Sequence, residues 1–157
     1  MISQGAPSEI SVERHLIDSF MLFQGMKRMC VKGMIGPHEG KELDLMLARK
    51  KSIALFCLEL GIPDEFEPYV RQGVFLTLEL PQFMRVNGKQ VLTGHRIIVY
   101  PEYLPQAYLL VKYLHLASGG FVPEYEREIG RLLGYEEQDI AYYIQHVQQL
   151  LTEKSIY

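Results

Sequence analysis

Two histidines and one acidic residue have the chemistry of possible metal ligands. His38 and Glu42 lie four residues apart, a spacing that puts both side chains on one face of a helix. Imidazole nitrogens and carboxylate oxygens both bind divalent transition metals, and His95 is the third candidate ligand. The alternative is an ordinary solvated helix start, because four-residue spacing is common. A divalent metal is therefore one expectation, and no other cofactor is predicted.

Glu79, His95 and Arg96 fall on a predicted sheet and are the candidate catalytic residues. A carboxylate beside a histidine can make a general base, and an arginine can hold an anionic substrate. Strand alternation places His95 on the face of Ile97 and Val99, whereas Arg96 points to the opposite face. The alternative is that these charges protect a strand edge from pairing with other chains.

Tyrosines and glutamines in the C-terminal half form the candidate interaction surface. Tyrosine supplies amphipathic contact area and is enriched at protein interfaces. Tyrosines also fill the margins of small cores, which is the alternative. The candidate interaction residues are Tyr108, Tyr142, Tyr143, Gln145 and Gln149.

Helices that would position the first of these residues follow from the hydrophobic periodicity. Apolar residues at helical spacing predict a first helix that begins near Ser8 or Ser11. The same spacing predicts a second helix over about Glu39 to Leu60, which glycine and proline then end. The basic run Arg49-Lys50-Lys51 lies inside this second helix, and we interpret it as a solvated face.

The middle of the chain changes to a period of two, which is typical of strands with one buried face. Asn87-Gly88 predicts a two-residue hairpin turn, because both central positions of a type I′ turn need positive φ. Pro81 indicates a bend or an edge position. The expected result is a small antiparallel meander of three to four strands. The predicted strand segments are 74–80, 83–86, 89–92 and 95–100.

Three helices are predicted after the strands. The first, about Tyr103 to Ser118, is apolar nearly all round, so it is either central in the core or covered by a second subunit. Residues 121–157 predict a helix–turn–helix-like pair, with Gly134 in the left-handed conformation that ends many helices. The fold class is therefore α+β: two N-terminal helices, the meander and three C-terminal helices in a single domain, residues 1–157.

Charge and composition limit the partners. The net charge is −3, and acidic residues outnumber basic ones in the tail, so phosphates would be repelled and nucleic acid is not expected as a partner. No stretch approaches the roughly 20 apolar residues that span a bilayer, so no membrane partner is expected. The two cysteines lie in apolar patterns, which suits buried thiols in a reducing compartment, and we expect a cytoplasmic protein.

Three functions follow as hypotheses. The first is protein–protein association, as a homodimer or with a regulatory partner, motivated by the apolar third helix and the tyrosine and glutamine face. The alternative is a small hydrolase or transferase that uses His95, Glu79 and Arg96. A weaker alternative is a winged-helix-like nucleic-acid-binding module that uses Gln138, Tyr142 and Gln145. The common cofactor and nucleophile motifs are absent from the sequence.

Overall fold

An antiparallel sheet with helices on both faces is the main feature of the computed structural model, which describes residues 36–155. The strands are β1 (Ile53–Cys57), β2 (Leu76–Val86) and β3 (Lys89–Val99), in the order β1-β3-β2. The helices are α1 (Glu42–Leu47), α2 (Glu67–Arg71), α3 (Leu104–Ala117), α4 (Pro123–Leu132) and α5 (Glu137–Lys154). The fold is therefore α+β. The predicted first helix lies outside the described residues.

Strands β2 and β3 form one long hairpin around the predicted turn. Asn87 and Gly88 both have positive φ, 51° and 76°, which confirms the type of turn that the sequence predicted. The ladder then runs without interruption from Val86 opposite Lys89 to Leu76 opposite Val99. The predicted division of this region into shorter strands is wrong.

Pro81 lies within β2, an edge strand, where a missing N–H group is tolerated. Gly94 lies opposite it and has a φ of 132°. A Cβ atom at Gly94 would come within 2.1 Å of the Leu80 carbonyl oxygen. Glycine at this position therefore allows the two strands to approach closely enough to stay paired.

The predicted second helix is wrong over its C-terminal half. Helix α1 ends at Leu47, and Arg49 takes a positive φ of 59°, which turns the chain. The apolar run that follows is strand β1, which pairs with β3 and not with β2. A short run that is apolar at every position fits a strand buried on both faces as well as a buried helix. The sheet is therefore not the predicted sequential meander.

Two apolar clusters hold helices against the sheet. The first cluster joins the sheet to α3 and α4, and the second joins the other face of the sheet to α1 and the segment around α2. Alternate residues of β1 and β3 contribute to opposite clusters, as strand geometry requires. The first cluster contains Ile53, Ile97, Val99, Ala107, Leu110, Ile129 and Leu133. The second contains Met46, Ala54, Phe66, Phe75, Ile98 and Tyr100.

The three C-terminal helices confirm the prediction from periodicity. Gly134 has a φ of 79° and ends α4 in the predicted left-handed conformation. A Cβ atom at Gly130 would lie 2.7 Å from the side chain of Ile140, so this glycine allows α4 and α5 to pack closely. Helix α3 buries Ala107 and Leu110 but exposes 59% of Tyr108 within the described part of the chain. Within residues 36–155, α3 is therefore buried on one face and exposed on another.

Candidate functional site

A buried lysine joins three elements of the fold. Lys51 lies just before β1 and is only 2% exposed. Its Nζ atom lies 3.2 Å from Glu42 Oε2 in α1 and 3.1 Å from His38 Nδ1. It also donates a hydrogen bond of 2.5 Å to the main-chain oxygen of Leu133, immediately after α4. The interpretation of Lys51 as part of a solvated helix face is therefore wrong.

Tyr135 completes this group, which we call the Lys51 cluster: His38, Glu42, Lys51 and Tyr135. The rings of His38 and Tyr135 are stacked, with centroids 4.3 Å apart and planes 9° from parallel. The Nζ atom of Lys51 lies 4.9 Å from the centroid of the Tyr135 ring, a cation–π distance. The turn at Gly134 makes this contact possible because it reverses the chain directly after α4.

Burial dominates the electrostatics of the Lys51 cluster. Desolvation lowers the pKa of Lys51 and raises the pKa of Glu42, and in each case the charge of the other residue opposes the change. Desolvation and the charge of Lys51 lower the pKa of His38 to about 4. Desolvation also raises the pKa of Tyr135. At neutral pH, His38 and Tyr135 are therefore neutral polar groups beside the contact between Lys51 and Glu42.

The candidate metal ligands, His38, Glu42 and His95, do not surround a shared empty position. His38 lies in the turn before α1 and Glu42 is the first residue of α1, so the two do not share a helix face, and both contact the ammonium group of Lys51. His95 lies on β3, opposite Cys57 of β1. Residues 36–155 contain no group of three or more His, Cys, Asp or Glu side chains that could hold a metal ion. Within the described part of the chain, a lysine occupies the position between the two candidate ligands.

A cleft of about 310 Å³ lies beside the Lys51 cluster. One wall carries Glu39, Glu42, Lys51 and Tyr135, and the other wall comes from β1 and the segment after it. Leu60 lies on this second wall and is 68% exposed. The second wall consists of Leu55, Phe56, Cys57, Leu60, Gly61, Ile62 and Pro63.

A smaller apolar hollow of about 40 Å³ lies between α4 and α5. It shares Gly36, Leu133 and Tyr135 with the cleft, so the two cavities adjoin. Glu126 and Tyr143 line the hollow and form a hydrogen bond with each other. Desolvation raises the pKa of Glu126 to about 7, although the Tyr143 hydroxyl opposes the change. The other lining residues are Pro37, Ile129, Gly130, Asp139 and Ile140.

The three candidate catalytic residues are divided between the two faces of the sheet. Arg96 and Glu79 are cross-strand neighbours, and Arg96 donates hydrogen bonds of 2.6 and 3.1 Å to Glu79 Oε1. His95 is the next residue along β3 and points to the other face, in register with Leu80 and Cys57. Desolvation lowers the pKa of His95. The structure thus brings Glu79 and Arg96 together and separates His95 from them.

The thiol of Cys57 is a poor nucleophile at neutral pH. Burial, followed by the nearby charge of Glu59, raises the pKa of Cys57 to about 11, so the thiol is protonated at neutral pH. The thiolate is the reactive form of cysteine. This agrees with the expectation of a buried structural cysteine.

The candidate interaction residues lie in different environments. Tyr108 is exposed on α3, and Gln145 and Gln149 are exposed on α5. Tyr142 and Tyr143 are half-buried, and Tyr143 binds Glu126. The exposed members are therefore distributed over two helices, α3 and α5.

Sequence reasoning missed an exposed ribbon, residues 81–94, formed by the far halves of β2 and β3. Strand β1 pairs only with residues 95–99 of β3, so the ribbon has no third strand among the described residues. Phe83 and Leu92 face each other across it, 67% and 47% exposed. The Asn87-Gly88 signal located the turn, but nothing in the sequence showed that β1 would stop short.

No helix within residues 36–155 is long and apolar enough to cross a bilayer. In comparisons with known proteins, the chain matches no family model, no curated protein and no solved structure. The geometry described above is therefore the basis for a functional proposal.

Proposed function

We propose that this protein works by association of two copies of the chain, through the ribbon. The observation that carries the proposal is the cross-strand pair of Phe83 and Leu92, which leaves two large apolar side chains exposed to solvent. Val86 and Val91 add exposed apolar area on the other face of the ribbon. An isolated two-stranded hairpin is only marginally stable in water, so a partner would stabilise this one.

A second copy fits this surface because a two-fold interface uses the same patch on both chains. The ribbon carries two basic residues, Arg85 and Lys89, both next to the turn, and no acidic residue. Antiparallel docking of two ribbons keeps the two basic ends apart. It brings Arg85 of one copy towards the base of the other ribbon, where Glu79 is exposed. Apolar side chains then lie at the centre of the interface and charges lie at its rim.

Sedimentation velocity over a wide range of protein concentration tests this proposal. We expect a dimer for the natural sequence and a monomer for Phe83→Ser. Tyr108→Ser is the matched control, because Tyr108 is similarly exposed but lies on α3. If only Tyr108→Ser dissociates the dimer, the interface lies on α3 and the ribbon proposal is wrong. A protein that is monomeric throughout contradicts association of two copies of the chain.

A small hydrolase or transferase is the second candidate function. One observation favours it: His95 Nδ1 is buried and has no hydrogen-bond partner among the described residues. A partnerless imidazole nitrogen retains a lone pair for a proton, and catalysis would require an opening of the surrounding residues that brings a substrate within hydrogen-bond reach of it. We expect His95→Ala to abolish turnover of ester or phosphate substrates without changing the circular dichroism spectrum. Loss of the folded state in this variant would instead support a structural histidine.

The nucleic-acid alternative has the least support. Helices α4 and α5 begin with the acidic residues Glu124, Glu126, Glu137 and Asp139. Such helix starts repel phosphates. Fluorescence anisotropy with labelled duplex DNA at low salt is the test, and the absence of binding there would end this alternative.

A further inference from the structure

The described part of the chain begins at the junction of the two cavities. Gly36 lines both the cleft and the apolar hollow, and Pro37 lines the hollow. The 35 residues that precede Gly36 are therefore joined to the protein at this junction. An extended residue spans about 3.5 Å, so the residues just before Gly36 can reach either cavity.

The walls of both cavities suit apolar side chains. Leu60 is the most exposed large apolar residue on the cleft, and Leu55, Phe56 and Ile62 lie near it. In the hollow, apolar side chains of α4 and α5 surround a nearly nonpolar space. Residues 19–35 carry the matching chemistry, with nine large apolar side chains: Phe20, Met21, Leu22, Phe23, Met26, Met29, Val31, Met34 and Ile35.

The charges of the two sides are complementary. Residues 19–35 contain three basic residues, Lys27, Arg28 and Lys32, and no acidic residue. The two cavities are lined by four carboxyl groups and, among the described residues, by one ammonium group, that of Lys51. Lys51 is already paired with Glu42. The four carboxyl groups belong to Glu39, Glu42, Glu126 and Asp139. Glu42 is paired with Lys51, and a pKa of about 7 leaves Glu126 partly protonated at neutral pH, so the complementarity rests on Glu39 and Asp139.

We propose that residues 19–35 dock in cis over the cleft and the apolar hollow. Apolar side chains of this segment cover Leu60 and the wall of the hollow, and the basic residues lie beside the carboxyl groups at the rims. The occupant belongs to the same chain because a tethered segment has a high effective concentration at an adjoining site. This assignment is independent of the ribbon and of the dimer proposed above.

Hydrogen exchange of the full-length protein tests the docking, with Leu60→Glu as the disrupting variant. Leu60 is largely exposed among the described residues, so its replacement leaves the sheet and its helices intact. A short helix without tertiary contacts is only marginally stable, so slow exchange in residues 19–35 requires docking. We expect Leu60→Glu to speed exchange there about tenfold or more, the factor that corresponds to about 1.4 kcal/mol. Exchange in β3 and α3 should not change.

Tyr108→Glu is the matched control, because it places the same charge on a similarly exposed position of α3. It should leave exchange in residues 19–35 as slow as in the natural sequence. Fast exchange of residues 19–35 in the natural sequence would overturn the proposal. An equal effect of the two variants would also overturn it, since the docking site would then lie elsewhere. Protection that grows with protein concentration would assign the cavities to a second copy and so contradict docking in cis.

Discussion

Lys51 donates a hydrogen bond to the main-chain oxygen of Leu133, which lies 82 residues further along the chain. The carbonyl groups at the end of a helix have no partner within the helix, and Leu133 directly follows α4. The lysine therefore satisfies a helix end and neutralises Glu42 at the same time. This one contact fixes α4 relative to α1 and to the start of β1.

Replacement of Lys51 by methionine should strongly destabilise the fold. Methionine has a similar length but leaves the Glu42 carboxylate buried without its counter-ion, which typically costs about 3–5 kcal/mol. Urea denaturation should show this loss as a lower midpoint. The exposed neighbour provides the control, since Lys50→Met should change the free energy of unfolding by less than about 0.5 kcal/mol. The double variant Lys51→Met/Glu42→Leu should recover part of the loss. Equal effects at positions 50 and 51 would show that the buried ion pair is not important.

Gly94→Ala should break the ladder at the base of the ribbon. The new Cβ atom would lie 2.1 Å from the Leu80 carbonyl oxygen, so the two strands must separate or bend. Gly88→Ala is the comparison, because φ is also positive there but no atom lies within 4 Å of the added Cβ. We expect Gly88→Ala to cost about 1–2 kcal/mol and Gly94→Ala to cost more. Thermal unfolding measures both, and a larger effect at Gly88 would contradict the close approach of the strands.

Glu126 should make the protein less stable as the pH rises. Its pKa in the folded protein is about 7, against an ordinary value of 4.5, so folding favours the protonated form. The stabilisation is complete below the ordinary pKa of 4.5 and is lost as the pH rises through 7. Glu126→Gln keeps an acceptor for the Tyr143 hydroxyl and cannot ionise. The free energy of unfolding of the variant should therefore not decline in this way. At pH 8 it should exceed that of the natural sequence by up to roughly 3 kcal/mol. If the free energies of unfolding of the two proteins change with pH in parallel, this prediction for Glu126 is wrong.

His38 should make the protein less stable as the pH falls, a dependence opposite in sign to that of Glu126. Its pKa in the folded protein is about 4, against an ordinary value of 6.5, so folding favours the neutral ring. The stabilisation is complete above the ordinary pKa of 6.5 and is lost as the pH falls through 4. His38→Phe preserves an aromatic ring against Tyr135 but cannot accept a proton. Chemical denaturation between these pH values should show a shallower acid loss in this variant. An unchanged loss would assign acid sensitivity to another group.

The sequence by itself determined the elements whose signals are local. The turn at Asn87-Gly88 depends on the φ preferences of two adjacent residues, and the helix end at Gly134 depends on one. The alternation along β3 likewise predicted that His95 and Arg96 point to opposite faces. The three C-terminal helices follow from a periodicity of 3.6 residues that extends over several turns in each case.

Tertiary structure decided everything that depends on partners distant in sequence. The run from Ile53 to Cys57 is apolar at every position, so only pairing with β3 made it a strand. Lys51 looked like part of a solvated basic run, and only the arrival of α4 buried it beside Glu42. The raised pKa of Glu126 likewise arises from the packing of α4 against α5. Burial is a property of the assembled layers, and desolvation follows burial, so no local pattern of residue types encodes either of them.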